Sequence, residues 1–389
     1  MNLLFYRYGN ICEPDVLAAM QSMQIHVKEC DLEITQKQLL PSEKLSFLLP
    51  LLTEESYDIL FSMNYFPFLS VLCERLGLLY VCWSTDSPVL ELFSDTIHNS
   101  CNRIFLFDYA QYERFHGENP DRIFYLPLAT NTERWDRLLE PDDGRNLSER
   151  FPCDLSFVGS LYHEKSPLGL QPLSSYQAGY AEGLCNAWCR LIGTPFPETV
   201  VSEDFIDCLK KQFPDFYTDP NSFCNTDRYV STQVYLASHT TELDRVNTLN
   251  ALAEHFPVTL FTRSDTSKLK NVDCRPGIST HKEMPYVFRY SKINLNMTLR
   301  SIETGLPLRI WDVLGCGGFL LTNYQAELPE YLTPGKDLDC YESIPELLNK
   351  VSFYLAHDDL RREIAESGHA KVKELHTYRH RLAIMLQLL

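Results

Sequence analysis

The sequence predicts an α/β protein built from two doubly wound domains in tandem. Short apolar segments alternate with segments of helical spacing through the first third of the chain, which is typical of a parallel sheet covered by helices on both faces. A polar, turn-rich stretch at residues 140–146 interrupts this pattern, and the alternation then begins again. The length of 389 residues suits two to three domains at roughly 150 residues each.

The first domain is predicted to span residues 1–145. Its strands are apolar and rich in β-branched or aromatic residues, and helical stretches separate them. The predicted strands are residues 2–8, 25–30, 57–62, 78–83, 103–107 and 122–126. The predicted helices are residues 14–23, 42–52, 68–76 and 110–115. Such regular alternation favours parallel pairing of the strands.

The second domain is predicted to span residues 146–365. Its predicted strands are residues 154–158, 258–262, 293–297 and 319–322. Residues 166–227 lack strand signals and contain helical stretches at 180–191 and 203–211, so we predict a helical insertion there. A helix-rich tail with apolar residues at helical spacing closes the chain.

Composition and charge disfavour several classes of protein. Lys and Arg number 35 against 52 Asp and Glu, and the net charge of -17 repels nucleic-acid phosphates and anionic membrane surfaces. The apolar runs are far shorter than the ~20 residues of a membrane-spanning helix, and the first residues show no signal-peptide pattern. The 13 cysteines are scattered without a C-x-x-C motif, which is typical of reduced thiols. We therefore expect a cytoplasmic protein with no nucleic-acid partner and no transmembrane segment.

Residues 301–323, SIETGLPLRIWDVLGCGGFLLTN, are the most informative part of the sequence. They predict a short helix followed by a buried strand, and Pro307 suits the first helical turn because its missing N–H would have no partner there. Gly305 leaves room for phosphate groups to approach the N–H groups at the positive end of that helix. Arg309 is placed to donate to a diphosphate, and Asp312 to accept from a ribose. The alternative is an ordinary helix–strand connection whose glycines allow close packing, with Asp312 in solvent.

Four segments of the C-terminal half carry a resemblance to a known family. They are NLNMT at residues 294–298, GLPLRIWDVLGCGG at 305–318, LLTNYQ at 320–325 and HTYRHR at 376–381. Together they resemble the CgeB-like (spore-maturation-type) glycosyltransferases, which have the GT-B fold of two Rossmann-like domains. The similarity is strong over residues 281–389, moderate over 153–162 and weak over 1–150.

The resemblance implies transfer of a sugar from a UDP-, dTDP- or GDP-linked donor, bound in the cleft between the domains, to a glycan or protein acceptor such as a bacterial surface glycan. The residues that it places around the donor are Gly305, Leu306, Pro307, Arg309, Asp312 and Gly317. Asp312 takes the place of the glutamate that binds ribose in the broader family. That family has a second acidic residue eight positions earlier, near the transferred sugar, whereas Glu303 precedes Asp312 by nine.

The same resemblance also predicts the roles of two further parts of the chain. Residues 277–286, GISTHKEMPY, resemble the loop that contacts the nucleotide base, which makes His281 and Tyr286 candidates. Tyr286 either stacks on the base or is buried in the core. The last helix, predicted at residues 366–389, is expected to pack back on the first domain, as the final helix commonly does in GT-B enzymes. The alternative is a tail that packs only on its own domain.

Three residues at strand ends complete the predicted donor site. Gly159 and Ser160 follow a strand and form a small-residue turn, the place where the donor phosphates approach in a GT-B enzyme. Gly159 is equally well interpreted as an ordinary turn glycine. Arg300 follows another predicted strand and is expected either to neutralise phosphate or to form an exposed salt bridge.

The catalytic candidates are Asp86, His163 and Glu303. Asp86 follows a buried strand in WSTDSP and is the candidate base or acceptor-orienting carboxylate, or else a turn or N-cap aspartate. His163, shortly after the Gly-Ser turn, is a second candidate. Asp337 and Asp339 match a D-x-D metal motif, but this pattern is common by chance.

Glycosyl transfer requires that the negative charge developing on the leaving diphosphate be stabilised. This charge can be neutralised by a metal ion, or by arginines and a helix N-terminus. Because the sequence shows no convincing carboxylate cluster, we expect no metal and no cofactor. Two other functions stay open: a non-catalytic two-lobed protein that binds sugar nucleotides, and a sugar-nucleotide epimerase of the same fold. The sequence does not predict the oligomeric state.

Overall fold

The structure, a computed structural model, describes residues 1–140, 151–169 and 173–389. The chain divides into two compact units. Unit 1 comprises Met1–Leu128, Asp219–Asn225 and Thr377–Leu389, and unit 2 comprises Ala129–Thr218 and Thr226–His376. Each unit contains one parallel sheet of six strands, so the predicted fold class is confirmed. The boundary predicted at residue 145 lies outside the described residues.

The sheet of unit 1 has the strand order β2-β1-β3-β4-β5-β6. Its strands are β1 (Asn2–Tyr6), β2 (His26–Cys30), β3 (Ile59–Met63), β4 (Leu79–Trp83), β5 (Asn102–Leu106) and β6 (Ile123–Tyr125). The helices of unit 1 are Glu13–Ser22, Leu32–Thr35, Pro41–Glu54, Pro67–Leu76, Tyr109–His116 and Tyr378–Gln387, with 3-10 turns at Leu90–Phe93 and Asp95–His98. Central strands such as β3 are buried at every position, as expected where helices cover both faces of a parallel sheet.

The sheet of unit 2 has the strand order β12-β11-β10-β7-β8-β9. Its strands are β7 (Cys153–Val158), β8 (Val258–Thr262), β9 (Asp273–Pro276), β10 (Ser291–Asn296), β11 (Leu320–Asn323) and β12 (Asp339–Tyr341). Its α-helices are Thr132–Leu139, Ser175–Cys189, Glu203–Gln212, Asp227–Val230, Ala237–Ala253, Met284–Tyr290, Leu308–Gly315, Leu328–Tyr331, Ile344–Ala356 and Asp358–Leu375. Shorter turns are the 3-10 helices His163–Lys165, Pro167–Gly169 and Glu198–Val200 and the π-helix Ser231–Leu236.

Several elements differ from the sequence prediction. The edge strands β9 and β12 were not predicted, because β9 is largely exposed and ends in proline, and β12 has only three residues. Pro307 takes the N-cap position of its helix rather than the first turn, with an extended ψ of 156. Within the predicted insertion, residues 219–225 belong to unit 1.

The tail contains a break that the sequence prediction did not include. Residues 366–375 continue the helix Asp358–Leu375 of unit 2, and a separate helix, Tyr378–Gln387, belongs to unit 1. That last helix packs on the helix Glu13–Ser22, and the Arg381 Nε atom donates to the carbonyl oxygens of Pro127 (3.0 Å) and Leu128 (3.2 Å). In the part of the chain that the structure describes, no helix is both long and apolar enough to cross a membrane.

Candidate functional site

The carboxyl ends of β7, β10 and β11 meet at one edge of the unit 2 sheet, because these strands are parallel neighbours. Ligands of doubly wound sheets bind at this edge. The turn after β7 carries Gly159, Ser160 and His163, and the loop after β10 carries Arg300 and Glu303. The fold therefore brings most of the predicted donor-site residues to the loops of a single sheet edge.

The turn after β7 is held together by its own side chains. The Ser160 hydroxyl donates to Glu164 Oε1 (2.6 Å) and accepts from the Tyr162 N–H (2.8 Å). The Gly159 N–H donates to a carbonyl of β8, and a Cβ atom at Gly159 would lie 3.3 Å from the Phe157 ring. Ser160 thus shapes the turn at which the donor phosphates are expected to approach, and a phosphate that accepted from its hydroxyl would have to replace Glu164.

His163 is oriented by a buried carboxylate. Its Nδ1 atom lies 3.0 Å from Glu242 Oε1, and Lys268 donates to the same oxygen at 2.6 Å. Although burial opposes its ionisation, hydrogen bonds from His239, Lys268 and His163 lower the pKa of Glu242 to about 2. An ionised carboxylate therefore fixes the ring of His163 from one side, while the side chain stays half exposed.

Arg300 is held in a buried ion pair. Its side chain is buried and pairs with Asp244 at 2.9 Å. The same guanidinium donates to the carbonyl oxygens of Leu191 (2.9 Å) and Cys189 (3.3 Å), in the predicted insertion. Because the pair with Asp244 is buried, the alternative of an exposed salt bridge is wrong. Arg300 anchors residues 189–191 to the loop after β10, and its contact with phosphate stays a prediction.

Arg245, which was not predicted as a site residue, is a buried cation that pairs with no carboxylate in the described part of the chain. It is 8% exposed, and its Nη atoms donate to the carbonyl oxygens of Ser160 (2.7 Å) and Met297 (2.7 Å). Among the described residues it makes no ion pair. Burial, and more weakly the charge of Arg309, lower the pKa of Arg245 to about 10. The residue thus places an unneutralised charge behind the ends of β7 and β10.

Arg309 is the second guanidinium without an ion pair among the described residues at this edge. It lies over the Phe288 ring, 5.0 Å from its centroid, with Nη1 2.6 Å from Met284 Sδ. Burial lowers the pKa of Arg309, and the Asp312 carboxylate opposes this shift. Asp312 itself is buried and lies 3.5 Å from the Thr130 hydroxyl, so the alternative of a solvated aspartate is wrong.

The loop before this helix is fixed by its backbone. The Gly305 carbonyl accepts from Gln325 Nε2 at 3.1 Å, and Leu306 is buried. Pro307 then turns the chain into the helix Leu308–Gly315 as its N-cap residue. The N–H groups of the first turn are the ones that a bound phosphate would contact.

Glycines at the end of that helix serve close packing. A Cβ atom at Gly315 would lie 2.5 Å from the Thr130 hydroxyl, and one at Gly317 would lie 2.1 Å from the Arg289 guanidinium. Gly317 also has a φ of 71°, which is the left-handed conformation that ends many helices. The positive φ thus accounts for a glycine at position 317, and the donor contact expected of Gly317 stays a prediction.

The predicted base loop contains side chains that stack within the protein. The Tyr286 ring is nearly parallel to both Phe151 and Tyr290, with interplanar angles of 13° and 8°. His281 stacks on Trp135 at a centroid distance of 6.5 Å. Tyr286 thus packs against two aromatic rings while remaining partly exposed, and its stacking on a base stays a prediction.

Glu303 lies in a small polar recess at the ends of β10 and β11. Gln233 Nε2 donates to its carboxylate at 3.2 Å. Arg300, Asn323 and Gln325 line the same recess, together with residues of the predicted insertion. Glu303 is thus a partly buried carboxylate surrounded by hydrogen-bonding groups, a setting that suits contacts with sugar hydroxyls.

The D-x-D aspartates are bound by cations of the protein. Asp337 pairs with Lys371 at 2.8 Å and Asp339 with Lys350 at 3.0 Å. Burial opposes the ionisation of Asp337, but hydrogen bonds led by Lys371 lower its pKa overall. Across residues 1–140, 151–169 and 173–389, no group of three or more His, Cys, Asp or Glu side chains is arranged to hold a metal ion.

Asp86 belongs to unit 1 and is exposed at the carboxyl edge of that sheet, three residues beyond β4. Asn64 Nδ2 donates to its Oδ2 atom at 2.5 Å. The structure thus shows a solvent-facing carboxylate that is held by the side-chain amide of Asn64. Nothing in the sequence marked Asn64 as its partner, because the two residues follow different strands.

Comparisons with known proteins agree with this fold. Residues 245–387 match a family described as "Glycosyl transferase-like". Similar solved structures include HepE from Anabaena in complex with UDP-glucose (TM-score 0.55, 10% identity, covering 100% of both chains). Another is a UDP-forming α,α-trehalose-phosphate synthase from Burkholderia xenovorans, with a TM-score of 0.54 and 12% identity, covering 100% of this chain and 98% of the other.

A glycosyltransferase from Rickettsia africae is also similar, with TM-score 0.52 and 11% identity, covering 100% of this chain and 98% of the other. No curated protein matches the sequence significantly. The chain thus has the GT-B fold, and its residues 245–387 carry the sequence pattern of a glycosyl transferase-like family.

Proposed function

We propose that the protein is a glycosyltransferase of the CgeB-like type, which moves a sugar from a nucleotide-sugar donor to a glycan or protein acceptor. The observation that carries the proposal is the pair Arg245 and Arg309. Both belong to the carboxyl edge of the unit 2 sheet, and neither has an ion pair among the described residues. Two unneutralised guanidinium groups at a ligand-binding edge favour a polyanionic ligand such as a nucleoside diphosphate.

This arrangement suits the chemistry of glycosyl transfer. When the bond from the sugar to phosphate breaks, negative charge develops on the leaving diphosphate. Arg309, with the N–H groups at the start of its helix, is proposed to stabilise that charge. Asp312 is proposed to bind the ribose, Glu303 the transferred sugar, and Asp86 the proton of the acceptor hydroxyl.

UDP-glucose is the first donor to test, because the similar HepE structure was determined with it. We expect UDP to stabilise the protein in a thermal-shift assay, and UDP-glucose to be hydrolysed slowly to UDP when no acceptor is present. The same assays with dTDP- and GDP-sugars identify which nucleotide base the donor carries. Binding without nucleotide release would instead support a non-catalytic sugar-nucleotide binder. An isomerised UDP-sugar as the product would support an epimerase.

Replacing Arg309 by Ala is expected to weaken UDP binding by roughly 1.5–3 kcal/mol, the usual contribution of hydrogen bonds to a charged group. Calorimetry measures this change. The melting temperature should change little, because Arg309 makes no ion pair among the described residues. Arg362→Ala is the matched control, since that arginine is 70% exposed on the helix Asp358–Leu375. Equal UDP affinity of the Arg309 variant and the control would contradict the assignment.

Arg300→Ala should have a different effect from Arg309→Ala. It leaves the Asp244 carboxylate without its ion-pair partner in a partly buried position, which typically costs about 3–5 kcal/mol of folding free energy when the pair is fully buried. The loss of stability should be visible in denaturant unfolding. An unchanged midpoint would show that this ion pair does not hold the loop after β10.

We also propose that the reaction requires no metal ion. The two aspartates of the D-x-D motif are paired with lysines, and the cations Arg245 and Arg309 lie at the carboxyl edge without an ion pair among the described residues. Release of UDP from UDP-glucose should therefore continue in the presence of EDTA at an undiminished rate. Complete loss of release on chelation, restored by Mg²⁺ or Mn²⁺, would refute this proposal.

A further inference from the structure

The carboxyl edge of the unit 1 sheet carries a connected polar cluster around Asp86. The strands β1, β3 and β4 are parallel neighbours, so the residues after them meet at one edge. Tyr8 follows β1, Asn64 follows β3 directly, and Thr85 and Asp86 follow β4. Of these residues, only Asp86 was predicted from the sequence to belong to the functional site. All of them carry groups that donate or accept hydrogen bonds.

Asn64 is the centre of this cluster. Its side-chain oxygen accepts from the Thr85 N–H at 2.8 Å, which identifies the other end of the amide as the donor. The Nδ2 atom donates to the Tyr8 hydroxyl (2.8 Å) and to Asp86 Oδ2 (2.5 Å). Both N–H donors of the amide are therefore used, and one of them is directed at an exposed carboxylate.

The backbone of Asn64 has a φ of 57°, in the left-handed region that glycine adopts without steric cost. Asparagine adopts this conformation at some cost, and such residues often lie at functional sites. A glycine would form the same turn more easily. The turn alone therefore does not account for asparagine at this position. What the side chain adds is its hydrogen bonds to Tyr8, Thr85 and Asp86.

Tyr8 is fixed from the opposite side. Glu13, which is fully buried, accepts the Tyr8 N–H at 2.8 Å, and Asn10 Nδ2 donates to the Tyr8 hydroxyl at 2.6 Å. Burial, together with the Asp86 carboxylate, raises the pKa of Tyr8, so its hydroxyl remains protonated at neutral pH. The cluster thus combines one exposed carboxylate, that of Asp86, with neutral polar groups, which suits the recognition of an uncharged, hydroxyl-bearing molecule.

We infer that Asn64 is the positioning residue of an acceptor site on unit 1, where it holds the Asp86 carboxylate toward the hydroxyl group of the acceptor. This inference rests on the proposed glycosyltransferase function. In the transfer step the acceptor oxygen forms a bond to the anomeric carbon, whose bond to the phosphate oxygen breaks. The electron pair of that bond leaves with the diphosphate, and the acceptor proton passes to Asp86. In the absence of an acceptor, water takes the acceptor's place and the products are free sugar and the nucleoside diphosphate.

The test uses the full chain with UDP-glucose as the probe and release of UDP as the measurement. Asn64→Gly removes the amide but keeps a backbone that accepts a positive φ, so folding should be preserved. We expect kcat for hydrolysis to fall about 10- to 100-fold, because a misplaced base loses its alignment with the attacking oxygen. The KM for UDP-glucose and the affinity for UDP should stay as in the native protein.

Asn64→Asp supplies a second readout that loss of packing alone would not produce. It places a like charge beside Asp86, which disfavours the ionised form of the base. The acid limb of the pH–rate profile should therefore move to higher pH, by about one pH unit. Asn271→Gly is the matched control, because Asn271 is exposed and has a φ of 58°. Its hydrolysis rate and pH profile should equal those of the native protein.

The possible outcomes distinguish failure of the positioning role of Asn64 from failure of the proposed glycosyltransferase function. If the native protein hydrolyses UDP-glucose and both Asn64 variants retain its kcat and pH profile, the positioning role is refuted while the proposed function stands. If the native protein neither binds UDP nor hydrolyses UDP-glucose or another nucleotide sugar, the function and the inference are both overturned. A 10-fold or larger loss of kcat in Asn64→Gly with native UDP affinity, together with the shifted acid limb in Asn64→Asp, supports the inference.

Discussion

Replacing Asp86 by Asn should lower the rate of sugar transfer, and of UDP-glucose hydrolysis, by roughly 10²- to 10⁴-fold, the usual contribution of a general base. Asparagine has the same shape, and its oxygen can still accept from Asn64. It cannot take a proton from the acceptor, however. UDP affinity should be unchanged, because the groups proposed to bind the nucleotide belong to unit 2. Steady-state kinetics and calorimetry on the same preparation measure both quantities.

Asp121→Asn provides the control for this experiment. Asp121 is an exposed aspartate of unit 1 that lies before β6, away from the carboxyl edge of the sheet. The control should hydrolyse UDP-glucose at the native rate. If Asp86→Asn does the same, Asp86 is not the base, and His163, which Glu242 orients, becomes the next residue to test.

Ending the chain at His376 should lower the melting temperature by roughly 10 °C or more. The truncation removes the helix Tyr378–Gln387, whose buried side chains include Tyr378, Leu382 and Met385. Burying each such side chain contributes about 1.5–3 kcal/mol, so the loss is about 5 kcal/mol or more. Because the helix belongs to unit 1, UDP affinity should fall less than activity does. Differential scanning calorimetry and UDP titration test these two expectations.

A single substitution gives a milder version of the same test. Leu382→Ala opens a cavity in unit 1 and should cost about 2–5 kcal/mol of folding free energy. Ile384→Ala, at a position that is 42% exposed on the same helix, should cost much less. Equal stability of the two variants, with a truncated protein that melts at the native temperature, would show that the last helix is not part of the core of unit 1.

The periodicity of apolar residues was sufficient to predict the α/β class and most strands of the two sheets. Buried parallel strands such as β3 and β4 have an apolar residue at nearly every position, and this signal is local in sequence. The short edge strands β9 and β12 lack it, because one is exposed and the other has only three residues. Pattern analysis fails for such strands, since their pairing partners rather than their own residues define them.

The short helix after Pro307, observed at Leu308–Gly315, was also predicted from local sequence. The packing contacts of nearby residues could not be predicted in this way. Gly317 and Tyr286 had the residue types and positions expected of a donor site, yet the structure surrounds them with Arg289 and with aromatic rings. A sequence motif shows which groups are present, but it does not show which of them the protein's own packing already occupies.

The sequence by itself determined the fold class, the approximate elements and the residue types available at the two sheet edges, because these depend on the spacing of residues along the chain. The tertiary structure alone decided which charges are neutralised. Arg300 is paired with Asp244, 56 residues earlier, whereas Arg245 donates to two backbone carbonyls and makes no ion pair with any described residue. It likewise decided that Asn64 contacts Asp86, 22 residues later. Coulombic and hydrogen-bond energies depend on distances of a few ångströms between groups that folding brings together, and sequence separation does not encode those distances.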